Sequence, residues 1–307
     1  MIYDLIIIGG GPAGVSAGVY AARKRLKTLL IAPEFGGQSI VSDGIENWIG
    51  TVKISGIELA NNLKKHLLAY AGDTLEVKEG ESVSDIKKDG GNFKVVTPRE
   101  EYLSKTVLIA TGSTRRKLEV PGAEEFDNKG LTYCASCDGP LFVGQDVVVI
   151  GGGNAAFETS DQLLAYCKSV TLLNRTENFR ADEITMNKLK QNPNFKITAN
   201  AVPLEIKGDN FVKSIVYEDL KTKEKHEIEA SGIFVEIGLI PTTYFTKNVL
   251  ELNKIGQIPV NPMNQQTKVS GVWAAGDCTD GLYHQNNIAS GDAIKALEDI
   301  YIELNTK

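Results

Sequence analysis

Two cysteines stand two residues apart in the stretch YCASCDGP, Tyr133 to Pro140, with an acid directly behind them: Cys134, Cys137 and Asp138. Such a pair can hold half of a metal site, staple the chain, or open and close as a redox couple. A zinc site of the common kind needs a second close-set pair of ligands. Cys167 and Cys278 stand alone, as do His66, His226 and His284, so no metal is expected. A permanent staple suits an oxidising compartment. The N-terminus runs directly into YDLIIIGGG, without a charged leader before an apolar stretch. No apolar run approaches the ~20 residues of a membrane span. These features predict a soluble cytoplasmic protein with no membrane partner. Elimination therefore favours a redox pair. Asp138 has two readings, a general acid for thiol exchange or a turn former before Gly139.

Such a pair needs an electron source and elements to carry it. The chain repeats one device, DLIIIGGGPAG (Asp4 to Gly14) and DVVVIGGGNAA (Asp146 to Ala156). Each copy is an acid, an apolar β-favouring run, G-x-G-x-x-G/A, and then small helix formers. The run reads as a buried parallel strand. The first glycine permits the tight turn and the second admits a pyrophosphate. The third small residue lets the helix pack on the strand, with its N-terminal amides facing the phosphates. A second strand follows each copy, KTLLIA (Lys27 to Ala32) and SVTLLN (Ser169 to Asn174). The class is α/β, with two Rossmann-like dinucleotide sites. Two dinucleotides with a cysteine pair between their motifs suggest an electron path from a nicotinamide through a flavin to a disulfide. The 307 residues suffice for about two domains. An apolar content of 42% excludes a disordered chain. A net charge of −6 without a basic stripe argues against nucleic acid as partner.

The chain resembles the low-molecular-weight thioredoxin reductases and the flavoprotein part of the alkyl hydroperoxide reductase system. The resemblance runs from Tyr3 to about Ile302 on ordered motifs: GGGPAG, FGGQ (Phe35 to Gln38), IENWIG (Ile45 to Gly50), IATGS (Ile109 to Ser113), CASCDGPLF (Cys134 to Phe142), GGGNAA, GIFVEIG (Gly232 to Gly238) and AAGDC (Ala274 to Cys278). It implies that Gly9, Gly11, Pro12, Ala13 and Gly14 take the pyrophosphate of FAD. It sets Gly37, Gln38 and Asn47 near the flavin, with Thr111, Gly112 and Gly276 in the same site and Asp277 on the ribityl chain. Gln285 and Asn286 would start a helix facing the pyrimidine edge, where its dipole stabilises negative charge. Gly151, Gly153, Asn154, Ala155 and Ala156 would take the nicotinamide dinucleotide.

The resemblance also implies an FAD domain of residues 1–115 and 244–307. A nicotinamide domain of residues 116–243, carrying the cysteines, would be inserted into it and would rotate about the two crossings. Cys137 would be the flavin-side thiol and Cys134 the attacker of an external disulfide. Asp138 would protonate the leaving thiolate. The partner would be a thioredoxin- or glutaredoxin-like protein, and the enzyme a homodimer.

Several positions depart from the family pattern. Glu34, about 20 residues past the first motif, suits ribose binding but follows an irregular turn. The usual H-R-R-x-x-x-R of NADPH sites reads NRTENFR, which keeps Arg175 and Arg180 and puts Asn174 and Thr176 in place of the other two. Two guanidinium groups can still clamp a phosphate, so NADPH is expected and NADH is possible. DGPLF looks more like the peroxide-system protein, whose usual N-terminal redox domain does not precede this chain, so a separate acceptor is expected. His284 stands where Arg or Lys usually precedes Gln285. Cys167 is expected in the core on the helical segment DQLLAYCKSV. The alternative reading is a ferredoxin- or NADH-dependent flavoprotein disulfide reductase feeding a peroxiredoxin system.

Overall fold

The structure, a computed structural model, describes residues 1–42 and 44–306. The side chains of Val41, Ser136 and Cys137 lie outside the described set. The chain divides into two compact units, Met1–Thr114 with Ile240–Lys307, and Arg115–Leu239.

The first unit opens with β1 (Ile2–Ile8), α1 (Pro12–Arg23) and β2 (Thr28–Ala32), followed by α2 (Gly56–Leu68) and β3 (Leu75–Glu79). The hairpin β4 (Asp85–Asp89) and β5 (Asn92–Val96) leads into β6 (Glu101–Ile109). The sheet order is β3-β2-β1-β6-β5-β4. β1, β2, β3 and β6 run parallel, and the hairpin is antiparallel. From Leu5 to Ile8, β1 is apolar and buried because both of its faces are covered. Leu5 and Ile7 pack into one cluster with α1, while Ile6 and Ile8 pack into another on the opposite face.

A short strand, β7 (Ser113–Arg115), leads out of the first unit. The second unit repeats the plan with β8 (Leu131–Thr132), a helical turn α3 (Ala135–Asp138), β9 (Asp146–Ile150), α4 (Asn154–Leu163), β10 (Ser169–Asn174), α5 (Glu183–Lys190) and β11 (Phe195–Ala199). An antiparallel sheet of β12 (Ala201–Gly208), β13 (Val212–Asp219) and β14 (Lys225–Glu229) precedes β15 (Gly232–Val235). The main sheet is parallel, in the order β11-β10-β9-β15-β8. Val148 and Ile150 of β9 enter one core cluster and Val147 and Val149 the other.

The chain leaves through β16 (Leu239–Pro241), which pairs with β7. It closes with β17 (Val272–Ala274), parallel to the end of β6, and α6 (Asn286–Thr306). Small residues let α6 lie close to α1: Ala13, Ala17 and Ala21 share a buried cluster with Ala289, Ala293 and Ala296.

One expectation needs correcting. The helix in DQLLAYCKSV ends at Leu163, and Cys167 lies just beyond the turn that follows it. The Lys168 N–H donates to the Gln145 carbonyl at 2.9 Å, which brings β10 alongside β9 and forbids further helix. Cys167 is buried nonetheless, and burial pushes its thiol up to about 11. Cys278 is likewise buried and pushed up to about 11. Neither is poised to react.

Candidate functional site

In the first unit, the glycine turn is enforced by close packing on two sides and left open on a third. Gly9 holds φ +125°, and a Cβ there would stand 2.1 Å from the Ala110 carbonyl oxygen. A Cβ on Gly14 would stand 1.9 Å from the Gly9 carbonyl oxygen. Gly11 differs: its Cβ would meet nothing nearer than the Gly37 Cα at 3.9 Å. Pro12 occupies the first helical turn, and no side chain caps the helix start. A helix of this length, uncapped and with an open glycine before it, fits an anionic pyrophosphate.

Of the other expected residues, Gly37 lies against Gly11 and Pro12. Gln38 donates to the Ser113 carbonyl. Asn47 donates to Gln285 at 2.9 Å, and Ser39 donates to Asn286 at 2.8 Å. Gln285 accepts the Ala289 N–H at 2.8 Å and so begins α6. Gly112 has φ +62° and nothing within 4 Å of a Cβ. A Cβ on Gly276 would stand 3.2 and 3.5 Å from the Cβ atoms of Ala289 and Ala13. The Thr111 hydroxyl is committed elsewhere, donating to the Thr242 carbonyl at 2.6 Å. The Glu34 side chain is exposed, and its backbone carbonyl abuts Gly10. His284 Nδ1 lies 3.4 Å from Asp277 Oδ1. The hydrogen bond to Asp277 holds the imidazole pKa above its ordinary value.

The second unit builds the same cradle. Gly151 has φ +153°, and its Cβ would stand 2.3 Å from the Glu236 carbonyl oxygen. Gly153 has only the Arg180 carbonyl near, at 3.9 Å, and α4 starts uncapped. Asn154 accepts the Asp182 N–H at 2.8 Å, Ala155 is exposed, and Ala156 is fully buried. Asn174, buried at the end of β10, fills the space over Gly152. Its amide donates to the Thr176 and Asn178 carbonyls at 2.8 and 3.4 Å. A carboxylate in that place would face carbonyl oxygens. Arg175 and Arg180 are exposed and form no ion pair among the described residues.

The cysteine turn belongs to this unit. Cys134 is half-buried and disulfide-bonded. Cys137, the other expected thiol, lies outside the described residues in its side chain. The Asp138 N–H donates to the Cys134 carbonyl at 3.1 Å, which sets the acid one helical turn from the cysteine. The buried Thr132 hydroxyl accepts the Cys134 N–H at 3.2 Å and donates to the Asp138 carboxylate. Sequence reasoning missed Thr132. Its only signal was a hydroxyl two residues ahead of a reactive cysteine. Among the described residues, no His, Cys, Asp and Glu group is arranged to hold a metal. No described helix is long and apolar enough to cross a membrane.

Two dinucleotide cradles, each at the end of a parallel β-α-β unit, with a cysteine turn in the second domain-sized unit, define a flavoprotein oxidoreductase of Rossmann architecture. The chain belongs to the pyridine nucleotide-disulphide oxidoreductase family, whose model matches residues 3–293. It is 40% identical over 295 residues to a Bacillus subtilis protein named NADH dehydrogenase, covering 96% of this chain and 57% of that one. It is 42% identical to an alkyl hydroperoxide reductase component of Staphylococcus aureus over the same shares of each chain. The chain therefore spans 57% of the length of these relatives. Thioredoxin reductase from Lactococcus lactis matches with a TM-score of 0.91 at 35% identity, over 99% of this chain and all of that one. Thioredoxin reductase from T. acidophilum matches with a TM-score of 0.88 at 37% identity, over 98% of each chain.

Proposed function

We propose that the protein is a thioredoxin reductase-like disulfide reductase, with FAD held by the first unit and NADPH by the second. A bound flavin would accept a hydride from the nicotinamide and supply two electrons to the Cys134–Cys137 disulfide. The chain's own residues do the rest. Reduced Cys134, as thiolate, attacks a disulfide in a separate thioredoxin- or glutaredoxin-like protein. One partner sulfur leaves as thiolate and takes a proton from Asp138. The Cys137 thiolate then attacks the Cys134 sulfur, restoring the intramolecular disulfide and releasing the second partner sulfur. Thr132 orients Asp138 and fixes the Cys134 backbone. The observation that carries the reading is this Cys134–Thr132–Asp138 unit in a chain with two open, uncapped glycine turns. Matches to whole thioredoxin reductases support the partner class and a homodimer. The free thiols of Cys167 and Cys278 fit a reducing compartment, the cytoplasm.

A second reading is favoured by the relatives named NADH dehydrogenase and alkyl hydroperoxide reductase: an NADH-fed reductase serving a peroxiredoxin system. Asn174 and the exposed Arg175 and Arg180 support NADPH instead, since they offer a phosphate two guanidinium groups and no repelling acid. The test reads kcat/KM for NADPH and NADH with a thioredoxin-like protein as acceptor, in the parent, Cys134→Ser and Cys137→Ser. The parent should turn over, better with NADPH, and neither variant should, because one thiol cannot cycle. With Cys134 gone, the Cys137 thiolate should give a long-wavelength charge-transfer absorbance that fades in acid; Cys137→Ser should lack it. Full reductase turnover in either variant sinks the mechanism. A clear preference for NADH selects the second reading.

A further inference from the structure

Glu236 has no part in the reading above, yet it occupies a place where ligands bind. In the second unit the chain passes from β9 through α4 to β10 on one side, while β15 flanks β9 on the other. In open α/β sheets that reversal marks the crevice, beyond the carboxyl ends of the strands, in which ligands lie. Glu236 is the first residue beyond β15. Its N–H donates to the Ile150 carbonyl, at the end of β9, at 2.8 Å. Its side chain is 11% exposed. Oε1 accepts the Thr159 hydroxyl at 2.9 Å and lies 3.5 Å from Arg115 Nη1. Oε2 has no partner among the described residues. It is also not one of the enclosed, unpartnered polar atoms, Ser113 Oγ and Gln265 Oε1, so solvent reaches it.

Burial raises the pKa of this carboxyl against the pull of Arg115 and Thr159. A carboxylate so desolvated is expected to fill its acceptor positions. Asn174, at the end of β10, marks the adenosine side of a bound dinucleotide, and the α4 start marks the pyrophosphate. The remaining half must lie on the other side of β9, over β15.

We infer that Glu236 Oε2 accepts a hydrogen bond from the nicotinamide nucleoside of the bound dinucleotide, and so binds NADH and NADPH alike. This rests on the second unit being the nicotinamide site. The donors on that half are the carboxamide NH2 and the ribose hydroxyls. Arg115 and Thr159 hold Oε1, which leaves Oε2 available to such a donor.

The experiment measures equilibrium dissociation constants by calorimetry for NADP+, NAD+ and the adenosine fragment 2′,5′-ADP. It uses the FAD-loaded parent and Glu236→Ala, Glu236→Asp and Glu236→Gln. Glu236→Ala should bind NADP+ and NAD+ about tenfold more weakly, the loss of one hydrogen bond to a charged acceptor. Binding of 2′,5′-ADP should be unchanged. Glu236→Asp, which keeps the charge but withdraws the oxygen, should show the same split and covers the case in which Glu236→Ala fails to fold. Glu236→Gln retains an acceptor and should stay within about threefold of the parent. Equal losses for fragment and dinucleotide would reduce Glu236 to a brace between α4 and β15 and overturn the inference. Unchanged dinucleotide binding in Glu236→Ala and Glu236→Asp would overturn it as well. A parent that binds none of the three would overturn the proposed function, and this inference with it.

Discussion

Asp138 owes its orientation to Thr132, whose hydroxyl joins the Cys134 amide to the carboxylate. Thr132→Val keeps the shape and removes the bridge. The expected result is about a tenfold fall in disulfide reduction, within the range of a misplaced general acid. Flavin reduction by the nicotinamide, followed in single turnover, should not change, because that step precedes the thiols. Equal loss in both steps would show that Thr132 merely supports the fold. His284 makes a prediction about pH. Its pKa is raised in the folded state by Asp277, so the pair stabilises the protein most at pH below its ordinary value. That contribution is lost as pH rises through the folded pKa. The pair is partly exposed, at 34% and 25%, so solvent screening limits it to about 0.5 kcal/mol. His284→Gln should therefore melt earlier than the parent at acid pH and together with it at alkaline pH. A constant difference across the range would mean that His284 acts by packing.

At the scale of elements, the first glycine turn separates folding from binding. Gly14→Ala drives a Cβ to 1.9 Å from the Gly9 carbonyl oxygen. Neither backbone can yield without parting α1 from β1, so loss of about 3 kcal/mol or more is expected. Gly11 has an extended φ of −77° and open space beside it. Gly11→Ala should leave the stability of the flavin-free protein within about 0.5 kcal/mol of the parent. It should nevertheless fail to retain FAD, since the Cβ enters the space that a pyrophosphate needs. Denaturation of the apoproteins and flavin content after reconstitution check both halves. Normal flavin content in Gly11→Ala would place the pyrophosphate elsewhere.

For the whole molecule, the two units should answer to different ligands. Hydrogen exchange should slow with FAD in the glycine turn of α1, around Gly112 and at the start of α6. NADP+ should slow it in Arg115–Leu239 around Gly151, Asn174 and Glu236. Protection of both cradles by FAD alone would contradict the division of cofactors.

How much of this was legible in advance follows from how local each cause is. The glycine turns were readable because their constraints act within a few residues: a positive φ at Gly9, a helix start at Pro12, an apolar strand before each. Those constraints, repeated at Gly151 and Asn154, determined the α/β class and the pair of Rossmann-like sheets. The cysteine spacing with its following acid was readable for the same reason. The end of the helix before Cys167 was not, because a sheet neighbour decided it through the Lys168–Gln145 hydrogen bond. The Thr111 hydroxyl donates to the Thr242 carbonyl, a partner that only the return of the chain supplies. Asn174 could be seen to replace an acid, but its hold on the Thr176 and Asn178 carbonyls depends on how the loop closes. Glu236 was invisible as a site residue: its partners Arg115 and Thr159 are 121 and 77 residues away in sequence. Sequence by itself determined the segments whose constraints are local, the glycine turns and the strands before them. Only the tertiary structure decided which distant side chains share one desolvated carboxylate, because burial and convergence depend on the packed sheet and not on neighbours in the chain.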